Sequence, residues 1–287
     1  MSVTLVSTRD ELAQACATPA LTAVVMTMGA LHEGHAELIR AARRRVGSEG
    51  RIIVTDFVNP TQFGAGEDFD RYPRTLDADI AVCQDAGADI VFAPSVEDVY
   101  GTSDLSTLGS QVQVEPSPLG AELEGASRPG HFRGVLTVVA KLMHLTSPDL
   151  AFFGEKDYQQ LALITAMVRD LRFPIEVVPV ATVRESDGLA MSSRNRYLSE
   201  SERATASLIP QALLAVIAAG ALGEQAAIDA GLAVLAQDSS IDLDYLVIRD
   251  LDLSTAPATG PARVLIAARV GSTRLLDNMA MELGGAS

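Results

Sequence analysis

The stretch that most constrains the fold is residues 22–35, which read Thr-Ala-Val-Val-Met-Thr-Met-Gly-Ala-Leu-His-Glu-Gly-His. Its first six residues are β-branched or apolar and predict a buried strand. Met28-Gly29-Ala30 then lets the chain turn without bulky side chains, and an apolar periodicity typical of a helix begins near residue 35. The stretch therefore predicts a strand and a helix joined by a tight turn.

The same order of strand and helix repeats as far as about residue 180. Short apolar runs predict strands at 3–6, 22–27, 51–58, 89–93, 150–153 and 175–180, and periodicity or capping patterns predict helices at 8–17, 35–46, 75–87, 133–146 and 157–171. Strands that alternate with such helices indicate a parallel α/β sheet. In this kind of sheet, ligands bind beyond the carboxyl ends of the strands.

The pattern changes after about Thr182. Alanine-rich segments predict helices at 199–218 and 223–236, and apolar runs predict strands at 241–248, 262–270 and 279–283. Helices followed by strands indicate an α+β domain. The sequence thus predicts an α/β fold, with a parallel-sheet domain over residues 1–182 and a smaller C-terminal α+β domain over residues 183–287.

Composition excludes several classes of protein. The formal net charge of −15 argues against a nucleic-acid-binding surface, which needs clustered Lys and Arg. The apolar runs are far shorter than a bilayer span, and the N-terminus lacks the pattern of a signal peptide. Cys16 and Cys83 form no Cys-x-x-Cys pair, as is usual in a reduced compartment. We therefore expect a cytoplasmic protein without nucleic-acid or membrane partners.

His32 and His35 lie three residues apart at the predicted start of a helix. At that spacing two side chains share one helix face, close to backbone N–H groups and to the positive end of the helix dipole. Both imidazoles can donate hydrogen bonds to phosphate, and Gly34 leaves space for a ligand. Two alternatives stay open: a metal pair, although no further Cys or His lies near in the sequence, or a structural role for either histidine.

Two carboxamides follow the next predicted strand. Asn59 and Gln62, in Phe57-Val-Asn-Pro-Thr-Gln-Phe63, can hold a hydroxyl or a carboxylate, although Asn59 alone is equally compatible with a turn cap. Residues 64–73 are polar and contain glycine. They form either a mobile lid that excludes water or an ordinary surface loop.

Lys156 lies where a predicted strand meets a helix, in Phe153-Gly-Glu-Lys-Asp-Tyr-Gln-Gln160. A cation is unfavourable at the start of a helix, which suggests that a bound phosphate compensates it. Asp157 suits either a ribose hydroxyl or helix capping. Gln160 lies one helical turn beyond Lys156 and can face the same pocket.

Two other segments carry weaker signals. Ser192-Ser193-Arg194 offers two hydroxyls and a planar guanidinium that can grip a triphosphate, although the pattern alone is more typical of a plain loop. Arg128-Pro-Gly-His131-Phe-Arg133 is a similar case, with helix capping as its alternative.

These segments together resemble one family, the pantoate–β-alanine ligases (pantothenate synthetases). The matching segments are Thr27-Met-Gly-Ala-Leu-His-Glu-Gly-His35, Phe57-Val-Asn-Pro-Thr-Gln-Phe63, Tyr72-Pro-Arg-Thr75, Leu123-Glu-Gly, Arg128-Pro-Gly-His-Phe132, Phe153-Gly-Glu-Lys-Asp-Tyr-Gln-Gln160 and Asp187-Gly-Leu-Ala-Met-Ser-Ser-Arg-Asn195, with Leu276-Asp277-Asn278 near the end. The histidine motif alone marks only the wider nucleotidyltransferase superfamily. The ordered set of segments is specific to this family.

The resemblance implies a Rossmann-like N-terminal domain, a smaller C-terminal domain that acts as a cover, and a homodimer. It also implies two half-reactions. The pantoate carboxylate attacks the α-phosphate of Mg-ATP to give pantoyl adenylate and pyrophosphate. The β-alanine amine then attacks the adenylate to give pantothenate and AMP.

The resemblance also implies a role for each matching residue. The phosphates are held by His32, His35, Lys156, Ser192, Ser193 and Arg194, and pantoate is held by Gln62 and Gln160 near Asn59. The ribose is contacted by Gly154 and Asp157, and the nucleotide pocket is contacted or lined by Val183, Met191 and Met28. Asp79 contacts a ligand of Mg²⁺ rather than the ion itself. A carboxylate nucleophile arrives already ionised, so we expect an electrostatic role for His35 rather than that of a general base.

The sequence departs from the family at three positions. Met26 replaces a usual proline, Asp56 replaces a usual apolar residue, and Ala78-Asp79 replaces a usual acidic pair. Met26 removes a fixed φ angle at the end of a strand. The Asp56 carboxylate can repel ATP, pair with an arginine or help to hold Mg²⁺.

Two other functions compete with the ligase. A nucleotidyltransferase that adenylylates a phosphate-bearing nucleotide needs a base-binding pocket, and the carboxamides of Gln62 and Gln160 argue against one. A non-catalytic ATP-binding regulatory module predicts tight ATP binding without release of pyrophosphate. The many candidate phosphate-binding side chains argue against this module, whereas the Asp56 carboxylate argues for it.

Overall fold

The computed structural model describes residues 3–64 and 69–284. Its contacts divide the chain into two compact units. The first unit comprises Met1–Gly154 and Leu163–Val180, and the second comprises Glu155–Ala162 and Ala181–Ser287. This division differs from the domains 1–182 and 183–287, which stay a prediction. Of the predicted lid at 64–73, residues 65–68 lie outside the described part of the chain.

The first unit contains a six-stranded parallel sheet, as the alternating pattern predicts. Its strands are β1 (Thr4–Val6), β2 (Thr22–Thr27), β3 (Arg51–Asp56), β4 (Ile90–Phe92), β5 (Leu150–Gly154) and β6 (Glu176–Val180), in the order β1-β4-β3-β2-β5-β6. From β2 the chain continues to β3 and β4 on one side and returns at β5 on the other. The strand order therefore reverses beside β2, and the crevice at its carboxyl end is the expected ligand site.

Helices connect the strands of this unit. They are α1 (Arg9–Ala15), α2 (Glu33–Val46), α3 (Leu76–Ala86), α4 (Val96–Tyr100), α5 (Glu124–Ser127), α6 (His131–Thr146) and the part of α7 (Tyr158–Asp170) that begins at Leu163. The predicted capping box of Thr8 and Glu11 is present at α1. Thr75 precedes α3 without a side-chain cap, and its hydroxyl donates to Asp79 Oδ2 at 3.0 Å.

The second unit has the predicted α+β composition. Its helices are α8 (Glu200–Ala206), α9 (Leu208–Ala219) and α10 (Glu224–Leu235), and its antiparallel strands β7 (Ile241–Arg249), β8 (Gly260–Val270) and β9 (Thr273–Leu283) pair in that order. β9 begins at Thr273 and not at the predicted residue 279. Polar Arg274, Asp277 and Asn278 interrupt the apolar pattern on which the prediction depends.

The segment Glu200–Leu222 has a mean hydropathy of 1.8 over a membrane-span window, and by length and composition it is able to cross a membrane. This corrects the expectation that every apolar run falls far short of a span. The segment contains the break between α8 and α9, and Ile209, Leu213 and Val216 are completely buried in the core of the second unit. Packing in that core accounts for its apolar character.

Candidate active site

The turn after β2 is held by a buried carboxylate. Asp79, on α3, is only 2% exposed, and its two oxygen atoms accept hydrogen bonds from the backbone N–H groups of Ala30 (3.0 Å) and Leu31 (2.6 Å). Gly29 and Ala30 have φ angles of 80° and 51°, in the left-handed region. Asp79 thus stabilises a conformation that Ala30 adopts at a cost. The sequence did not predict this role for Asp79.

His32 and His35 meet through a capping arrangement rather than on one helix face. His32 is the N-cap residue of α2, and its Nδ1 accepts from Gly34 N at 3.1 Å. His35 lies in the first turn, and its Nδ1 accepts from His32 N at 3.2 Å. The ring centroids are 4.1 Å apart. The prediction that both histidines lie on a helix face is therefore wrong for His32, although the rings are adjacent.

The caps determine the tautomer of both imidazoles. Because each Nδ1 accepts a backbone hydrogen bond, a neutral ring carries its proton on Nε2 and donates from that atom. Two Nε2–H donors at the start of α2 are chemically suited to an anion. Gly34 leaves room for a ring rather than for a ligand, since a Cβ there would lie 2.9 Å from His32 Cε1.

Asn59 is a buried scaffold residue. It is 1% exposed, and its Oδ1 accepts from Tyr100 Oη at 2.6 Å and from Thr61 N at 3.3 Å. Its Nδ2 donates to Gln62 Oε1 at 3.0 Å and to Gly134 O at 3.3 Å. These contacts favour the turn-cap alternative for Asn59 itself. Asn59 would affect a ligand only indirectly, because it orients the side chain of Gln62.

Gln62 ends the short 3₁₀ helix Pro60–Gln62 and lies beside Met28, because its Nε2 contacts Met28 Sδ at 3.1 Å. The structure therefore brings together Met28 and Gln62, which the sequence placed on different segments. The carboxamide of Gln62 is half-buried, with its orientation set by Asn59 and Met28. It is held ready to accept or donate one further hydrogen bond.

Arg128 and His131 contact the backbone of Gln62. The backbone carbonyl oxygen of Gln62 accepts a hydrogen bond from His131 Nδ1 at 3.0 Å and lies 3.4 Å from Arg128 Nη2. His131 Nε2 then accepts from Arg128 Nη1 at 3.1 Å. The two side chains line a cavity of about 190 Å³ with Gln62 and Tyr100. Gly130 is the N-cap residue of α6, and no side chain caps this helix. The segment therefore begins a helix, as its capping alternative expects, but without a side-chain cap.

In the second unit, Lys156 lies in the 3₁₀ turn Glu155–Asp157, and its ammonium is 3.3 Å from Asp157 Oδ1. The Lys156 side chain is 19% exposed, whereas that of Asp157 is 50% exposed. Lys156, Ser192 and Arg194 line one narrow cavity. The structure thus brings together two cations and a hydroxyl that the sequence places on two distant segments.

The backbone around that cavity is regular. Met191 N donates to Val183 O at 2.9 Å and closes a hairpin, after which Ser192 Oγ accepts from Arg194 N at 3.3 Å. Ser193 begins the 3₁₀ helix Ser193–Tyr197. Gln160 is half-buried in the first turn of α7.

Gly154 ends β5 in the first unit, and a Cβ there would meet nothing within 4 Å. Open space beside a strand end is compatible with close approach of a ligand to the backbone. The ribose contact expected of Gly154 stays a prediction.

Asp56 is the acidic departure at the end of β3. Burial, together with the charge of Asp79 and a hydrogen bond to it, raises the pKa of Asp56 from 3.8 to about 6. The Asp56 carboxyl also packs against Gly29, where a Cβ would lie 2.6 Å from its Oδ1. The raised pKa indicates that Asp56 keeps its proton in mildly acidic solution, because burial and the charge of Asp79 oppose its loss.

The Asp56→Asn variant should therefore be stabilised only where Asp56 is ionised. Because the folded-state pKa of Asp56 is raised, the wild-type protein loses stability as the pH rises from about 4 to about 7, by roughly 3 kcal/mol. We expect the neutral carboxamide to remove most of this loss, so that the gain is near zero at pH 4 and about 2 kcal/mol at pH 8. Urea unfolding at the two pH values measures it. Exposed Asp85→Asn serves as the control, and an equal gain at both pH values would contradict the assignment.

Comparisons with known proteins show which family this chain resembles. The family model for pantoate-beta-alanine ligase matches residues 3–280. The chain is 55% identical to the pantothenate synthetase of Nocardioides sp. (98% of this chain, 86% of the relative) and 56% identical to that of Salinispora arenicola (97% and 98%).

Two solved structures are also similar. Pantothenate synthetase from Thermus thermophilus has a TM-score of 0.86 at 46% identity, covering 96% of this chain and 99% of that one. A pantoate-beta-alanine ligase from Francisella tularensis, complexed with beta-gamma ATP and beta-alanine, has a TM-score of 0.77 at 31% identity, with 96% and 97% coverage. The similarity extends over both units of the chain.

Proposed function

The chain belongs to the pantoate-beta-alanine ligase family, and we propose that its own residues carry out the ATP-dependent condensation of pantoate with β-alanine through a pantoyl adenylate. It is accordingly an ATP-dependent ligase that forms a C–N bond. The family match is not in favour of the two rival functions, a different nucleotidyltransferase and a non-catalytic ATP-binding module. The observation that carries the assignment of residues is the pair of Nε2 donors at the start of α2, beside the reversal of strand order.

In the first half-reaction, a carboxylate oxygen of pantoate attacks the α-phosphorus of ATP, and the bond from that phosphorus to the pyrophosphate oxygen breaks. Gln62 would hold pantoate through its oriented carboxamide. His32 and His35 would donate to phosphate oxygens from Nε2 as negative charge develops there. The nucleophile is already ionised, so catalysis needs positioning and electrostatics rather than a base.

In the second half-reaction, the amine of β-alanine attacks the acyl carbon of the adenylate. The C–N bond forms, the bond from that carbon to the AMP oxygen breaks, and the nitrogen loses a proton. No covalent bond to the enzyme is required in either step. The family's β-alanine substrate is consistent with the ligand of the Francisella structure.

The residues of the second unit suit the nucleotide. Lys156, Ser192 and Arg194, which line one cavity, would bind phosphate oxygens together with Ser193. Asp157 would meet the ribose, the backbone at Val183 and Met191 would meet adenine, and Gln160 would assist in binding pantoate. These roles follow from the position of each residue in the family's motifs.

We treat Mg²⁺ as part of the Mg-ATP substrate. Mg²⁺ commonly binds through substrate phosphates, waters and one or two carboxylates. Among residues 3–64 and 69–284, no group of three or more His, Cys, Asp or Glu is placed to hold a metal ion. The carboxylate oxygens of Asp79 accept hydrogen bonds from Ala30, Leu31 and Thr75. Its contribution to Mg²⁺ binding would therefore be indirect, through the turn that it holds.

Two further properties are proposed from the family resemblance, a homodimer and a cytoplasmic location. Sedimentation equilibrium should give a mass twice that of the 30.2 kDa chain. A monomeric mass at micromolar concentration would contradict the dimer. Cell fractionation tests the location, and recovery with the membrane fraction would contradict it.

The proposed function predicts pantoate-dependent exchange of labelled pyrophosphate into ATP without β-alanine. Exchange requires the first half-reaction to be reversible and pyrophosphate to bind, so it isolates adenylate formation. Adding β-alanine should then give pantothenate and AMP in equal amounts. ATP binding without exchange would favour the non-catalytic module, and exchange that depends on a nucleotide instead of pantoate would favour the other nucleotidyltransferase.

A further inference from the structure

Leu276-Asp277-Asn278 belongs to the family pattern but has no role in the proposed reaction. Both polar residues lie on β9 in the second unit, and each is 3% exposed. Buried polar side chains are costly unless hydrogen bonds compensate them. The hydrogen-bond partners of Asp277 and Asn278 therefore indicate the structural role of this part of β9.

Asn278 holds the backbone of the turn that carries Lys156. Its Nδ2 donates to the carbonyl oxygens of Glu155 and Lys156, both at 2.9 Å. Its Oδ1 accepts from Arg263 Nη1. A single carboxamide thus joins two consecutive carbonyls of the 3₁₀ turn to β8, and its orientation is fixed by Arg263.

Arg263 grips the same turn through side chains. Its Nη2 is 3.2 Å from Glu155 Oε2, and its guanidinium lies 3.8 Å from the ring centroid of Tyr158, the first residue of α7. Tyr158 Oη in turn donates to Leu251 O at 2.9 Å. The residues on both sides of Lys156 are thereby attached to the antiparallel sheet of the second unit.

Asp277 fixes the other phosphate-binding segment. Its carboxylate forms two hydrogen bonds with Arg184, at 2.7 and 2.9 Å, and Arg184 also donates to Gly188 O at 2.9 Å and to Asn278 O at 3.2 Å. The hairpin that contains Arg184 closes at Met191 and leads directly into Ser192. Asp277 therefore anchors the strand from which Ser192, Ser193 and Arg194 continue.

We propose that Asn278 and Asp277 are positioning residues, which hold the Lys156 turn and the Ser192–Arg194 segment at a fixed separation so that both grip one phosphate chain. The inference rests on the proposed function, because that function assigns the phosphate to these segments. Adjacent residues of one strand reach two segments that are distant from each other in sequence. Rigid strands hold such constellations more precisely than loops do.

The test variant is Asn278→Asp, which has the same size but presents an oxygen to the two carbonyls. We expect kcat of pantoate-dependent exchange to fall about 100-fold, since a displacement of about 1 Å at a reacting group has an effect of that order. The melting temperature is measured in parallel. Thr205→Val is the matched control, because it removes a 2.6 Å bond to Asp238 in the same unit without touching either segment. The control should retain wild-type kcat.

A double-mutant cycle separates positioning from general stability. If Asn278 acts through Lys156, Asn278→Asp should lower the exchange rate less than about threefold in a Lys156→Ala background. An equal factor in both backgrounds would overturn the proposal, and so would wild-type kcat in the folded single variant. If Asn278→Asp does not fold, Arg263→Lys replaces it as the test variant. We then expect kcat of the exchange reaction to fall about tenfold, and an unchanged kcat would overturn the proposal.

A binding measurement keeps the inference distinct from the proposed function. If the wild-type protein binds inorganic triphosphate but does not catalyse exchange, the proposed function fails. The inference is then decided by calorimetry with triphosphate, for which Asn278→Asp should raise Kd at least about tenfold over wild type and over Thr205→Val. Equal Kd values in all three proteins would overturn the inference.

Discussion

Replacing Lys156 by alanine should lower kcat of pantoate-dependent pyrophosphate exchange by about 10² to 10³-fold, the usual effect of removing one preorganised donor to a developing negative charge. Lys156 is well placed for such an effect, because its side chain is mostly shielded from water and lies in a narrow cavity with Arg194. Shielding strengthens the attraction between the ammonium and a phosphate oxygen. The rate is measured at saturating ATP and pantoate.

The variant should remain folded. Lys156 pairs with a half-exposed carboxylate, and such a pair contributes less than about 1 kcal/mol to stability. Arg44→Ala on α2 is the control for loss of a positive charge, since its side chain is 64% exposed and pairs with Glu37. Lys156→Arg should recover part of the rate, because the charge is kept. Near-normal kcat in Lys156→Ala would remove Lys156 from the mechanism.

The pattern of the sequence specifies the sheet well because burial on both faces leaves a strong local signal. β2 coincides with the predicted 22–27, and β5 begins at the predicted Leu150. The signal is weaker where polar residues point into a core. The sequence predicts β9 only at 279–283 because Asp277 and Asn278 look like the end of a strand, whereas their hydrogen bonds with Arg184 and Arg263 allow them to be buried.

The candidate site shows the same limit in a different form. Residue type and spacing identify Gln62, His32 and Lys156 as groups suited to a substrate, but they cannot show how each is oriented. Orientation comes from partners far away in sequence: Asp79 binds the turn at residues 30 and 31 across 49 and 48 positions, and Asn278 binds the turn at residue 156 across 122 positions. Local pattern holds no information about such pairs.

His32 illustrates a misassignment with a local cause. A serine, threonine, aspartate or asparagine is the usual N-cap, so the pattern gives no signal that His32 itself caps the helix. The structure shows that an imidazole Nδ1 can accept the same backbone hydrogen bond. Capping then has a chemical consequence, because it directs the Nε2–H of the ring away from the helix backbone.

The Gly134→Ala variant should have a large structural effect in the first unit. Gly134 lies in α6, where alanine normally stabilises a helix by about 1 kcal/mol relative to glycine. Here a Cβ would lie 2.3 Å from Thr61 O and 2.7 Å from Gln62 Cα, distances that require backbone movement. We therefore expect alanine to destabilise the protein at this position, with a loss of about 3 kcal/mol in the free energy of unfolding.

The same clash should reach the substrate, because the displaced backbone carries Gln62. Gly134 O also accepts from Asn59 Nδ2, the group that orients the Gln62 carboxamide. We therefore expect the KM for pantoate in the exchange reaction to rise at least about tenfold, while the KM for ATP changes less. Gly109→Ala is the control, since a Cβ there meets nothing within 4 Å. An unchanged urea midpoint together with an unchanged pantoate KM would show that α6 and the Pro60–Gln62 turn are not in close contact, and the positioning of Gln62 would need another explanation.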